Sequence, residues 1–547
     1  MRRRQRGGDG LTGRTSRREA AGTLALERLT DRVEPGVLRL PALVRGELVW
    51  PSRFSADQLD RIALGPDPVR HGDDYVVPSF VPGGGRRFAV LPYADAARLV
   101  EHDRMHLARC LHELPFNAVL DYFVELRELL REDGELIQDV LAAYRADSAV
   151  AAARDILLEA LLEMLPGLFD PAEIEAAVAA ELDQPGGRGR DHLDGWVRVG
   201  IRQEEGANIR IADAVFAEPG APGPAYARRP TLLRAIPTRQ LHITAGNAPI
   251  IPALSLLRAL ATKGAAVVKC PVRSWLVPTI LAMALHRLGR GHPLTHHTSI
   301  AYWRGGDRAV EDLLLDAKAF DRVVVWGSTD AIASIRARTT IPTITFEPRV
   351  GMSLIGREAF DTDLREVVIR ATADSLVENQ AACTASLVHY VEADESQALR
   401  YCQALQAALA RWDAGLPQRP SPQAMALLRR LRREALVGAR WFVNGRWPEV
   451  TSAVVYTPHP FDLSTHPMSR CVIVRRMDDL TAALRYVDRG VAAVGVWPLD
   501  RWVELRGVLA ACGVTTVALL GESERRWSGM PHDGMRPLSQ LINWTVA

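Results

Sequence analysis

A chain of 547 residues is long enough for two or three domains with sizeable cores. With 48% hydrophobic residues, 24% charged residues and a net charge of +2, it has the balance of an ordinary soluble protein, and nothing in its charge points to nucleic acid or a membrane surface as the main partner. The six cysteines are scattered without a C-x-x-C pair or a Cys/His ligand spacing, so neither a disulfide framework nor a metal site is expected, and a reducing cytoplasm fits best.

The arginine-rich start, residues 1–18, leads into no apolar run and is expected to be a disordered basic tail rather than a secretory signal. No stretch of about 18 uninterrupted apolar residues occurs, so no integral membrane segment is expected. Residues 19–190 form the next region. It is mixed as far as Arg104, with short strand-like pieces at 46–50 and 88–91 and a loop at Gly83-Gly84-Gly85. From Asp103 to Leu182 apolar residues such as Leu120, Phe123, Val124 and Leu126 recur at three and four, which predicts about four packed helices. The run Gln184-Pro185-Gly186-Gly187 breaks the pattern, and a second Gly/Pro-rich stretch spans 219–224.

Over residues 191–346 the pattern becomes strand, turn, helix, strand. Gln240–Thr244 reads as a buried strand that ends in Ala245-Gly246-Asn247-Ala248-Pro249, a helix follows from about Ile251 to Thr262, and Lys263-Gly264 stops it before the strand Ala265–Cys270. The helix 277–288, the strand 298–303, the helix 309–317 and the strand Arg322–Trp326, ending at Gly327-Ser328, continue the alternation. These are βαβ units of a parallel sheet, a Rossmann-type domain whose glycines follow strand C-termini, where open α/β sheets bind nucleotides. Residues 347–547 alternate again as a second α/β domain, with a last amphipathic helix expected around Leu538, Leu541, Ile542 and Trp544.

Within this second domain lies Ser375-Leu376-Val377-Glu378-Asn379-Gln380-Ala381-Ala382-Cys383-Thr384-Ala385-Ser386. Cys383 falls among small residues between a helix end and a strand, a setting that lets a substrate carbonyl approach the sulfur and lets backbone N–H groups favour a thiolate. A lone cysteine is more often a buried, inert one; the fragments upstream change that balance. Gly246-Asn247, Val268-Lys269, Gly327-Ser328 and Cys383 occur in an order that resembles the aldehyde dehydrogenase superfamily. The fragments Leu193–Trp196, His242–Asn247, Tyr302–Asp307, Val324–Gly327 and Asn379–Cys383, with the C-terminal 534–544, are more closely similar to the LuxC-type long-chain acyl-CoA (fatty-acyl) reductases.

The resemblance implies an aldehyde-dehydrogenase-like α/β fold with a mainly helical N-terminal region, and reduction of an acyl thioester to an aldehyde. It casts Cys383 as nucleophile and Asn247 as oxyanion donor. It puts Lys269 on the cofactor ribose, with Gly246, Gly327 and Ser328 lining the cofactor site. Arg273 suits a 2′-phosphate, so NADPH is expected, the alternative being a solvated loop arginine. The partners implied are acyl-CoA or a carrier-bound acyl group, an acyl-activating or carrier protein, and further copies of the chain. Oxidising relatives carry a water-activating Glu where this chain has Thr345; Glu347 follows two residues on without an assigned role. His389, inside a strand, is expected to be structural, and His532 is an open acid–base candidate. The rival readings are an oxidising aldehyde dehydrogenase and a catalytically silent acyl- or carrier-binding subunit.

Overall fold

The computed structural model describes residues 37–547 except 64, 66, 82–84, 133–136, 139, 142–155, 200–206, 217–230, 247, 272–273, 362, 419, 421, 434–437, 448 and 526. The expected basic tail, two of the three loop glycines at 83–85 and the Gly/Pro-rich 219–224 lie outside these residues.

A four-stranded sheet (37–39, 85–92, 74–81, 69–71) opens the described chain, and helices follow at Phe116–Glu132, Ile156–Leu168 (α1) and Pro171–Leu182 (α2). Asp170 caps α2 by accepting from the Ala172 N–H, and Pro171 occupies the first helical position, where its missing N–H costs nothing.

The second sheet contains Arg239–Ile243 (β1), Ala265–Lys269 (β2), Thr298–Ala301 (β3), Arg322–Trp326 (β4) and Thr343–Phe346 (β5), in the spatial order β5-β4-β1-β2-β3 and all parallel. Valine-rich runs such as Val323-Val324-Val325 form these strands because both faces are covered, and all three side chains are buried. Ile251–Ala261 (α3) links β1 to β2, and Thr329–Arg336 (α4) links β4 to β5. Beyond β3 the sheet is extended by Ala42–Val44 and Glu47–Val49, with Leu43 opposite Ile300, so part of the expected 19–190 region contributes to this layer.

The third sheet has seven strands in the order 440–446, 449–456, 471–477, Ser386–Glu392 (β7), Val350–Ile355 (β6), 491–497 and 516–519. It is parallel except for the hairpin 440–456 at one edge. Leu364–Ser375 (α5) leads from β6 toward β7. The helix expected at the C-terminus is corrected: Pro537–Gln540 makes a single turn, and Ile542–Val546 is a strand paired antiparallel with Leu232–Pro237. Its burial alternates, Ile542 in and Asn543 out, which is the period of a strand. Among the described residues no helix is long and apolar enough to cross a membrane.

Candidate active site

Cys383 follows α5 through a tight turn in which Glu378, Asn379 and Gln380 all have positive φ, at 47°, 54° and 72°. Left-handed backbone costs a non-glycine residue about 1–2 kcal/mol, so three in succession need firm anchors. The buried Gln380 amide donates to the Cys471 carbonyl at 2.7 Å and accepts from the Cys471 N–H at 3.0 Å. Asn379 donates to Gln418 at 2.6 Å and accepts from the Arg470 guanidinium at 2.7 Å. Arg470, 1% exposed, sits in a second left-handed turn, Met468-Ser469-Arg470, and pairs with Asp413 at 2.6 Å. Asp413 also accepts from Thr451 and Ser452 at 2.7 and 2.6 Å. Below the loop, β6 passes so close that a Cβ on Gly351 would lie 2.2 Å from the Thr384 carbonyl oxygen. Cys383 is therefore held on a clamped loop.

Cys383 and Thr384 open onto a cavity of about 300 Å³. Its apolar wall comes from Leu168 on α1, Ile174 and Ala177 on α2, Leu254 and Leu257 on α3, and Met530. Arg525 and residues 527–533 also line it, and Gly529 lets this segment lie on α2: its φ is +75°, and a Cβ there would come within 2.2 Å of the Ala180 Cβ. Thr384 donates to the Glu524 carboxylate. Glu181, on the same wall, accepts from the Leu538 and Ser539 N–H groups at 2.7 and 3.3 Å, and burial pushes its pKa up.

The candidate cofactor residues gather at the C-terminal ends of neighbouring strands. The chain runs β1 to β2 to β3 in one direction and places β4 and β5 on the other side of β1, so the order reverses between β1 and β4. Such a switch point is where open α/β sheets take ligands. Gly246 follows β1 and Gly327-Ser328 follows β4, on either side of it. Ser328 caps α4 by accepting from the Ala331 N–H at 3.3 Å, leaving early amides of α4 turned toward the crevice. Lys269 ends β2, half-buried, with its ammonium 5.8 and 5.7 Å from the Tyr302 and Trp303 ring centres and without an ion-pair or hydrogen-bond partner among the described residues. Desolvation pushes its pKa down. An ammonium so placed fits hydroxyl groups of a bound nucleotide. Asn247 and Arg273 lie outside the described residues.

His532 lines the cavity with Cys383 and packs edge-on against Trp326 and Phe346, with ring centres 5.1 and 5.0 Å away. Trp326, which immediately precedes Gly327, stacks on Phe346 with ring centres 3.8 Å apart. His389 is elsewhere. It is fully buried, hydrogen-bonded to Ser375 and Tyr401 at 2.8 Å each, and burial lowers its pKa to about 3. Because the Ser375 hydroxyl donates to the Ala371 carbonyl, His389 donates to Ser375 through Nε2 and accepts from Tyr401 at Nδ1. Glu347 is exposed, 3.7 Å from Arg336, and away from the cavity wall.

Sequence reasoning passed over Arg258, buried at 8% exposure, whose guanidinium lies 5.6 and 5.5 Å from the Trp326 and Phe346 ring centres on the cavity wall. A lone charge in the apolar run of α3 was its available signal. It also read Lys263 only as a helix stop. The side chain is buried and bonds the Leu193 carbonyl and Asp194 at 3.0 and 2.6 Å, tying the Leu193–Trp196 fragment to the end of α3.

The two mainly parallel α/β sheets, one with a switch-point crevice and the other carrying the cysteine loop, define an aldehyde-dehydrogenase-like fold. NADP-dependent glyceraldehyde-3-phosphate dehydrogenase from Bacillus halodurans C-125 superposes with a TM-score of 0.63 at 16% identity, over 93% of this chain and 99% of that one. An aldehyde dehydrogenase from Bacillus cereus gives 0.63 at 14% identity, over 93% and 96%. The family model of acyl-CoA reductase (LuxC) matches residues 234–544, and the chain belongs to that family. The long-chain acyl-protein thioester reductase of Vibrio harveyi is 26% identical over 318 residues, 57% of this chain and 65% of that protein; the Photorhabdus luminescens protein of the same name is 26% identical over 328 residues, 57% and 64%. The match thus spans just under two thirds of these relatives.

Proposed function

We propose that the chain reduces a long-chain acyl thioester to an aldehyde, using NADPH and an acyl-enzyme on Cys383. The observation that carries this reading is the position of Cys383 on a clamped loop, opening onto an apolar cavity that His532 also lines. The Cys383 thiolate attacks the thioester carbonyl. The oxyanion is taken up by the Cys383 N–H and the Asn247 amide; losing one such donor typically costs about 10²–10³ in rate. Collapse breaks the C–S bond to the carrier, whose thiolate takes up a proton and leaves, while the acyl group stays on Cys383. Leu168, Ile174 and Leu257 hold its chain and exclude water. Lys269, Gly246, Gly327 and Ser328 would hold the dinucleotide, and Arg273 would select the 2′-phosphate. A bound reduced nicotinamide would supply hydride to the acyl carbon, and the resulting hemithioacetal on Cys383 would expel the sulfur and release the aldehyde.

Thr345 in place of the water-activating Glu, and Glu347 turned to Arg336, favour this reading over an oxidising dehydrogenase. The names of the relatives favour a carrier-protein thioester as donor. Self-association, and a division into 19–190, 191–346 and 347–547 in which 42–49 joins the second sheet, belong to the same proposal. The test is NADPH consumption with a panel of acyl-CoA and carrier-bound thioesters, with aldehyde identified as product. Acid formation from aldehyde with NADP⁺ as the only activity would instead establish the oxidising enzyme, and no turnover of any thioester the silent subunit.

A further inference from the structure

Helix 104–107 runs directly into a single π-helical turn, Ala108–His112, a form often associated with functional sites. His106 and Cys110 are four residues apart on it, and Cys110 Sγ lies 3.7 Å from both ring nitrogens of His106. His297 arrives from the turn just before β3, and one ligand atom from each of the three side chains lies within 4.8 Å of the others. The His106–Cys110 spacing of four stands in the sequence but was passed over, because the third member comes from a distant segment. His297 is 5% exposed, and neither ring nitrogen has a hydrogen-bond partner among the described residues. A buried imidazole in that condition calls for a ligand.

We propose that His106, Cys110 and His297 form a binding site for a zinc-class divalent transition-metal ion. A tetrahedral zinc with Zn–S of about 2.3 Å and Zn–N of about 2.05 Å sets sulfur and nitrogen about 3.6 Å apart, close to the His106–Cys110 separation. The Glu101 carboxylate lies 3.9 Å from His297 Nδ1, beyond hydrogen-bond distance here but near enough to accept that N–H when the ring turns to present Nε2 to a metal. Glu101 is itself held by Arg45. Water would complete a tetrahedral set. None of the three residues lines the Cys383 cavity. The ion is a clasp between the N-terminal helical segment and the second sheet.

The experiment uses the full-length Cys383→Ala chain, so that the catalytic thiol does not compete. After chelator treatment it is titrated with Co²⁺ as a spectroscopic probe and then with Zn²⁺. One equivalent of cobalt per chain should give a thiolate-to-cobalt charge-transfer band that zinc abolishes and that Cys110→Ser removes. Glu101→Gln should weaken zinc binding about 10–100-fold. Zinc should also protect Cys110 from alkylation, read by peptide mass spectrometry, a measurement that stands even where Cys110→Ser fails to fold. No charge-transfer band, a band that persists in folded Cys110→Ser, or Cys110 alkylation unchanged by zinc would each overturn the proposal.

Discussion

Arg470→Met breaks the clamp under the cysteine loop. Arg470 and Asp413 have side-chain exposures of 2% and 10%, so the variant leaves a carboxylate buried against Thr451 and Ser452 with its cation gone. Removing one partner of such a pair costs about 3–5 kcal/mol. With an m-value of about 3 kcal/mol/M, that lowers the urea midpoint by about 1–1.7 M. Asn379 loses its guanidinium donor as well, so the left-handed run 378–380 keeps only its bonds to Cys471 and Gln418. A displacement of about 1 Å at a nucleophile costs about 100-fold, so turnover should fall by that order at temperatures where the variant is still folded. The double variant Arg470→Met/Asp413→Leu separates the two effects. An apolar pair of similar volume should restore most of the stability, while turnover stays low because Asn379 still lacks its guanidinium donor. The assay is urea unfolding followed by tryptophan fluorescence, alongside thioester turnover and the alkylation rate of Cys383. A loss below about 1 kcal/mol in the single variant, or full turnover in the double one, would refute the clamp.

The remaining predictions are narrower. His389 is neutral and buried, with its pKa lowered to about 3 from an unfolded value of about 6.5, so its contribution to stability is present above pH 6.5 and is lost as pH falls toward 3. It should add a slope of about 1.4 kcal/mol per pH unit near pH 5, and His389→Gln should flatten urea-midpoint profiles by one proton; an unchanged slope would contradict the assignment. Leu257→Trp, on the cavity wall, should shift preference toward shorter acyl chains while turnover of the shortest substrates stays within a few-fold; equal losses at every length would detach the cavity from the acyl chain. Glu347→Gln should leave thioester turnover within about threefold, because an exposed ion pair contributes only about 0–1 kcal/mol; loss of activity would make Glu347 catalytic.

What the sequence disclosed was what local chemistry controls. The helix end, the small residues and the strand around Cys383 are contiguous, so α5, the turn and β7 were legible, and so were the parallel strands written as runs of valine. The clamp was not, because Asn379 meets an arginine 91 residues away, and nothing local marks Asp413 as its partner. The acyl-side wall was hidden for the same reason: the helices between 103 and 182 were legible as amphipathic packing, but not which of them face Cys383. The C-terminal strand was misread as a helix because Leu538, Leu541 and Ile542 fit a helical spacing. Pairing with Leu232–Pro237 decides it, and that is a long-range contact. Lys263 shows the same limit, since a helix-stopping lysine gains its meaning only when Asp194 is beside it.

The central claim is a covalent acyl-enzyme on Cys383. The most direct measurement is intact and peptide mass spectrometry after incubation with a long-chain acyl-CoA in the absence of nicotinamide cofactor. The chain should gain the mass of one acyl group, mapped to the peptide bearing Cys383, absent in Cys383→Ala and discharged when NADPH is added. A labelled Cys383→Ala chain, or turnover of thioester to aldehyde by that variant, would contradict it.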